Sequence, residues 1–267
     1  MTKFNGAIKR VCVSALLTVV LAGCVTTTDS RFAREADREK AVNSYIQLAT
    51  AYVGKGNIDR ARVHLERALE LEPDSAGAHS VMGLVYQSEG EGQLAEESFQ
   101  HALESDPGYT RGRVFYGAFL FGQQRYADAR HQFQRAASDT GYADRASVFF
   151  NLGLTEERLG NVGPAAAAYR RSVELSRGDA NSLLALSRML VEQGKYDDAA
   201  GYYERLTMAM RRNPEMQHSP QSLLTGIRIA RHFSDRDRES SLALLLKNKY
   251  PDSAEYKQYK VLSSDVE

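Results

Sequence analysis

Two patterns of apolar positions divide this chain. The first is a single run of twelve largely apolar residues, Val11 to Ala22, broken by Gly23-Cys24 and followed at once by polar sequence. The second begins near residue 41, where apolar positions recur at helical spacing in paired segments, predicting amphipathic helices. The pairs themselves repeat. "YIQLATAY" (45–52) aligns with "HSVMGLVY" (79–86), and "ARVHLERALELEP" (61–73) with "AEESFQHALESDP" (95–107), both at an offset of 34 residues. Between the helices of a pair, "GKGN" (54–57), "SEGEG" (88–92), "RLGN" (158–161) and "EQGK" (192–195) supply the glycine that suits a helix end. "NPEMQHSP" (213–220) breaks the pattern, because proline cannot sit inside a helix. Residues 223–251 then predict two further helices ending at Pro251, with Glu239 where the other units carry a small alanine.

This spacing resembles the tetratricopeptide repeat. The first copy carries Tyr45, Leu48, Ala49, Tyr52, Ala61, Leu65, Ala68 and Pro73 at the diagnostic places. The second carries His79, Met82, Gly83, Tyr86, Ala95, Phe99, Ala102 and Pro107. The third keeps Tyr116, Gly117, Ala129, Phe133 and Ala136, with Gly141 for the closing proline and two extra residues before the next copy. The fourth keeps Phe149, Leu152, Gly153, Ala165 and Tyr169, and the fifth Leu183, Leu186, Ala199 and Tyr203. The expected fold is all-α, a right-handed superhelix of about six helix–turn–helix units over residues 41–251. The units are placed near 42–75, 76–109, 110–145, 146–179, 180–213 and, degenerate, 220–253, with 252–267 as a C-terminal tail. Gly83, Gly117 and Gly153 are expected to face Ala95, Ala129 and Ala165, small against small, while Tyr86, Phe99, Phe133 and Tyr169 fill the spaces between repeats.

The N-terminal run is too short to span a bilayer, which takes about 20 apolar residues. With Lys3, Lys9 and Arg10 ahead of it, the segment fits a secretory signal peptide over 1–23. Leu21-Ala22-Gly23-Cys24 resembles the lipobox of bacterial lipoproteins, which implies cleavage before Cys24 and lipidation of its thiol. Several acyl chains anchor stably where one does not. Val25 stands where an Asp would resemble an inner-membrane retention signal, so the outer membrane is expected, with residues 24–40 as the lipidated cysteine and a polar tether into the periplasm. Loss of 1–23 also removes Cys12, excluding an internal disulfide, and leaves 31 basic against 34 acidic residues. A mild negative balance does not fit nucleic acid.

Candidate chemistry is sparse. The six histidines (64, 79, 101, 131, 218 and 232) show no four-residue pairing and no HExxH, and neither GxSxG nor a Walker loop occurs. His79 falls on an aromatic core position of its repeat. Carboxylates lie beside Arg and Lys, as in "READREK" and "ERALELE", a pattern of solvated faces. No catalytic residue, metal site or cofactor is expected apart from covalent lipid (a palmitate-bearing anchor) on Cys24, and no small-molecule substrate.

What remains is a surface. In tetratricopeptide domains the second, fifth, ninth, twelfth and thirteenth residues of each repeat line the groove. Carried across, these give Asn43, Ile46, Thr50 and Val53; Ser80, Leu84 and Gln87; Arg111, Val114, Ala118 and Phe121; Phe150, Leu154, Glu157 and Arg158; and Asn181, Leu184, Arg188 and Val191. Ile46 and Thr50 stand where chaperone-binding repeats place Lys and Asn, so a carboxylate clamp is not expected there. The stripe is apolar with scattered arginine, which suits an extended or helical peptide with apolar anchors.

The lipobox, the polar segment and about six repeats together resemble the type IV pilus biogenesis and stability lipoproteins, the PilF/PilW pilotin family. The local echoes are "YIQLATAYVGKGNIDRARVHLERALELEPDSAGAH" (45–79) and "FFNLGLTEERLGNVGPAAAAYRRSVEL" (149–175). That resemblance implies a non-enzymatic protein that binds pilus secretin subunits and promotes their localisation and multimerisation in the outer membrane. The alternatives are tetratricopeptide lipoprotein scaffolds of outer-membrane protein assembly or of cell-wall hydrolase regulation.

Overall fold

The computed structural model describes residues 31–213 and 215–264; the expected signal segment, Cys24 and the first part of the expected tether lie outside the described residues. Thirteen α-helices, and no strand, are present among the described residues. They are α1 (Arg31–Gly54), α2 (Ile58–Leu71), α3 (Ala76–Glu89), α4 (Gly92–Ser105), α5 (Thr110–Gly122), α6 (Tyr126–Ser138), α7 (Arg145–Arg158), α8 (Val162–Leu175), α9 (Ala180–Glu192), α10 (Tyr196–Arg212), α11 (Pro220–His232), α12 (Arg236–Lys249) and α13 (Ala254–Ser264). Each odd-numbered helix from α1 to α11 forms an antiparallel hairpin with the next, and neighbouring hairpins stack, giving the all-α tetratricopeptide superhelix. Helix starts are set locally. Asn57, Asp179, Ser219 and Asp235 each accept an N–H from three residues on, and Pro220 occupies the first turn of α11.

Inside the hairpins the expected glycine–alanine contact takes a different form. A Cβ added at Gly83 would lie 2.7 Å from the ring of Phe99, at Gly117 2.9 Å from Phe133, and at Gly153 2.6 Å from Tyr169. The bare first-helix backbone therefore receives an aromatic ring from the second helix of its own repeat, rather than the ring filling a space between repeats. The alanines are fully buried beside it. Each such ring gains about 1.5–3 kcal/mol by burial. In the fifth hairpin Ser187 replaces the glycine and its hydroxyl donates to the Ala199 carbonyl at 2.9 Å. Tyr203 then reaches across repeats, with its hydroxyl 2.3 Å from where a Cβ would sit on Gly226 of α11.

The ends of the array differ from the sequence expectation. The polar segment read as tether is helical from Arg31, so residues 31–40 extend α1, with 34–40 exposed. Leu48, at a diagnostic place of the first repeat, is 46% exposed, and no earlier repeat stands before that hairpin among the described residues. Residues 252–267, read as a tail, contain α13, whose Tyr256 and Tyr259 pack on Leu223, Ile227 and Leu246. That helix closes the apolar face of the last hairpin, as a capping element must in a stacked array. The sixth unit is itself a complete hairpin. Glu239, out of place in the repeat pattern, accepts Nε and Nη2 of Arg231 at 2.9 and 2.5 Å, and Arg231 Nη1 donates to the Leu262 carbonyl of α13.

Candidate binding groove

The first helices of the repeats, α1, α3, α5, α7 and α9, carry every residue expected to line the groove, and the structure sorts them by exposure. Ile46 is buried at 7% exposure and packs against Gly77, where an added Cβ would stand 2.9 Å from its Cδ1. It is core, because the glycine lets α3 approach it closely. Ser80 and Val191 are buried as well. Thr50 turns inward on its own helix, donating to the Ile46 carbonyl at 2.7 Å. Val53, Leu84, Val114 and Leu184 are half-buried against the repeat cores. Gln87 and Arg111 are exposed, and the Arg111 guanidinium sits 5.8 Å from the Phe115 ring centre.

Three hollows gather the others. Phe121 and Leu154, from successive repeats, meet with Ala118, Phe133 and Asn151 around an apolar hollow of about 180 Å³. Asn43, Ile46 and Arg111 edge a second of about 340 Å³ that also holds Glu39, Asp74, Asp106 and Tyr109. Phe150 and Asn181 edge a third of about 460 Å³, with Asp144 and Asp179. The carboxylates and Asn151 are the residues that sequence reasoning missed. The aspartates fall in the connections between hairpins rather than on a helical stripe. Asn151 is sixth in its repeat, outside the carried-over positions.

Arg188 forms a fork on Glu157 across two repeats, with Nη1–Oε1 at 2.7 Å and Nη2–Oε2 at 2.5 Å. The Tyr169 hydroxyl also donates to Glu157, at 3.0 Å. Burial pushes the Glu157 carboxyl up, but the guanidinium and the phenol outweigh it and hold it below the usual carboxylate range. For Tyr169 burial and the Glu157 charge act together and push the phenol up. This network ties the fourth repeat to the fifth. The histidines sit elsewhere. His64 stacks on Tyr52 at 5.4 Å, and His79 meets His101 edge-on at 4.0 Å with its Nε2 2.7 Å from the Pro73 carbonyl. No cluster of three metal-ligating side chains is found among the described residues.

Comparison with known proteins places this geometry. The tetratricopeptide repeat family matches residues 46–110 and 120–180, and a second pattern of the same repeat matches 182–215. The type IV pilus assembly protein PilF of Pseudomonas aeruginosa is 37% identical over 245 residues, covering 91% of this chain and 95% of its own. The chain belongs to the PilF family. A solved structure of Pseudomonas aeruginosa PilF superposes with a TM-score of 0.75 at 36% identity, covering 84% of this chain and 99% of that one. The structure of PilW, a widely conserved type IV pilus biogenesis factor, gives 0.65 at 25% identity, over 82% and 97% of the two chains. As a PilF-like repeat protein the chain is a protein-interaction module of type IV pilus biogenesis.

Proposed function

We propose that this PilF-family protein is a pilotin: a lipid-anchored outer-membrane protein, facing the periplasm, that binds pilus secretin subunits and promotes their multimerisation without catalysis. The observation that carries the reading is the extent of the pilus relationship. Tetratricopeptide repeats alone serve many unrelated scaffolds, but here likeness to a pilus protein runs over 91% of the chain rather than over a few repeats.

The residues supply a mechanism. Lipid on Cys24, after Leu21-Ala22-Gly23, fixes the address. The helical stalk from Arg31 holds the repeats away from the bilayer surface. The hollow between Phe121 and Leu154 takes one apolar side chain of a secretin segment, and Asp144 and Asp179, in the separate hollow edged by Phe150 and Asn181, favour a basic residue further along that segment. Several subunits held near one membrane have a raised effective concentration, which favours ring assembly. Affinity capture of the full chain from detergent-solubilised outer membrane tests the reading. It predicts stoichiometric recovery of a pilus secretin; recovery of barrel-assembly components or wall hydrolases in its place would overturn it.

A further inference from the structure

A further hollow lies outside the groove. It lies between α10 and α12, the second helices of the last two repeats, and has a volume of about 560 Å³. Beside it runs the connection 213–219, seven residues long where 72–75, 106–109 and 176–179 have four and 139–144 has six. Tyr250, at the end of the sixth hairpin, donates to the His218 carbonyl at 2.7 Å and ties the connection to that hairpin.

The walls are mixed in a specific way. Met210 and Leu242 supply apolar sides, and the ring of Tyr203 supplies the floor, with the Arg238 guanidinium 5.7 Å from its centre. Arg211 rises at the rim with its side chain 73% exposed. Glu204 is the one carboxylate in the lining, and it holds both arginines loosely, Arg238 at 3.4 Å and Arg211 at 3.8 Å. A guanidinium carries five donors, so most of the donors of both arginines remain open to a second acceptor. Lys249, bonded to Gln217 at 3.2 Å, adds a further positive charge beside the connection. The cleft thus has an excess of positive charge next to apolar walls.

We propose that this cleft is a second protein-binding site, on the face opposite the first-helix groove, which takes an extended polypeptide segment bearing an acidic side chain next to an apolar one. The carboxylate joins Glu204 as an acceptor of Arg211 and Arg238, and the apolar neighbour lies against Met210 and Leu242. The cleft opens to solvent rather than closing into a cavity, so it admits a segment whose chain continues beyond it. With both sites filled, the protein bridges two partners, one in the groove and one outside it.

The test uses the full chain and three end-blocked or free heptapeptides in an alanine background. The first is blocked at both ends and carries one glutamate between two leucines. The second replaces that glutamate with glutamine, and the third is the glutamine peptide with a free C-terminal carboxylate. Binding is read by fluorescence polarisation and located by the shift of the His218 ring proton. The glutamate peptide is expected to move that proton and to bind about tenfold more tightly than either other peptide, the worth of ~1.4 kcal/mol. Arg211→Glu, a change at an exposed side chain that leaves the fold intact, is expected to abolish the preference. Equal affinity for the blocked peptides, preference for the free C-terminus, an unmoved His218 proton, or an unchanged preference in Arg211→Glu would each overturn the proposal.

Discussion

The ring of Tyr169 rests on the backbone of Gly153: a Cβ at that glycine would lie 2.6 Å from two ring carbons. Helix backbone cannot yield as a flexible side chain does, so the hairpin of the fourth repeat depends on the missing methyl. Gly153→Ala is expected to cost about 1–3 kcal/mol by overpacking. Each kcal/mol lowers the melting temperature of a domain this size by roughly 2–4 °C. Gly201→Ala, where nothing lies within 4 Å, is expected to raise stability by about 0.5–1 kcal/mol. Paired thermal melts check both signs.

The turn inside each hairpin places one residue in the left-handed region. Gly56, Gly90, Gly160 and Gly194 fill it in four hairpins, but Gln124 (φ 61°) and Ser234 (φ 57°) fill it in the third and sixth. A side chain there is strained by a Cβ contact that glycine avoids. Gln124→Gly and Ser234→Gly are expected to stabilise by about 0.5–1 kcal/mol each and additively, since they lie in separate hairpins. Urea titration of the singles and the double measures this.

The Glu157–Arg188 fork makes stability depend on pH in a defined direction. The Glu157 carboxyl is held below its ordinary 4.5, so the stability it adds is full above about pH 4.5 and is lost as pH falls through the lower folded value. Arg188→Gln is expected to destabilise at neutral pH by about 1–3 kcal/mol, leaving a half-buried carboxylate without its charged partner. It also flattens the acid limb of the stability curve. An earlier loss comes from His79, whose burial holds its pKa below 6.5, so the unfolded chain takes up a proton first as pH drops below that value. Chemical denaturation from about pH 2 to 7 separates the two limbs, and His79→Asn is expected to remove only the upper one.

Phe121 and Leu154 share the central apolar hollow, so charging both is expected to lower affinity for the groove's client at least tenfold while leaving the helix content unchanged, as one lost anchor of ~1.4 kcal/mol would. Gln87→Ala, an exposed change on the same helical face, is expected to leave binding within twofold of wild type, well under that loss. Titration of a fluorescent secretin domain into each folded variant gives the answer.

The repeat was legible because it is a spacing rule: small and large residues recur at fixed intervals, and stacking enforces them. The partner of each small residue was not legible. Gly83 could have met Ala95 or Phe99, and only the crossing of the two helices put the ring over the glycine. The array's ends were misread for a related reason. Residues 31–40 and 254–264 carry no repeat signature, yet the first extends α1 and the second covers an apolar face. In the groove, repeat position gave which residues share the first-helix face but not their depth. Ile46 is buried because Gly77 admits its neighbour helix, a fact that lies in another repeat. The cleft at Arg211 and Arg238 lies beside the connection that breaks the repeat, and the break alone did not show which side chains would gather there.

The most direct test of the pilotin account is the amount of heat-stable secretin multimer in outer-membrane fractions of a deletion strain complemented with wild type or Cys24→Ser. The account predicts restored multimers in the outer membrane with wild type. With Cys24→Ser it predicts a protein that still binds secretin in solution but leaves the multimers depleted or misplaced. Multimers of normal amount and location in the deletion strain itself would contradict it.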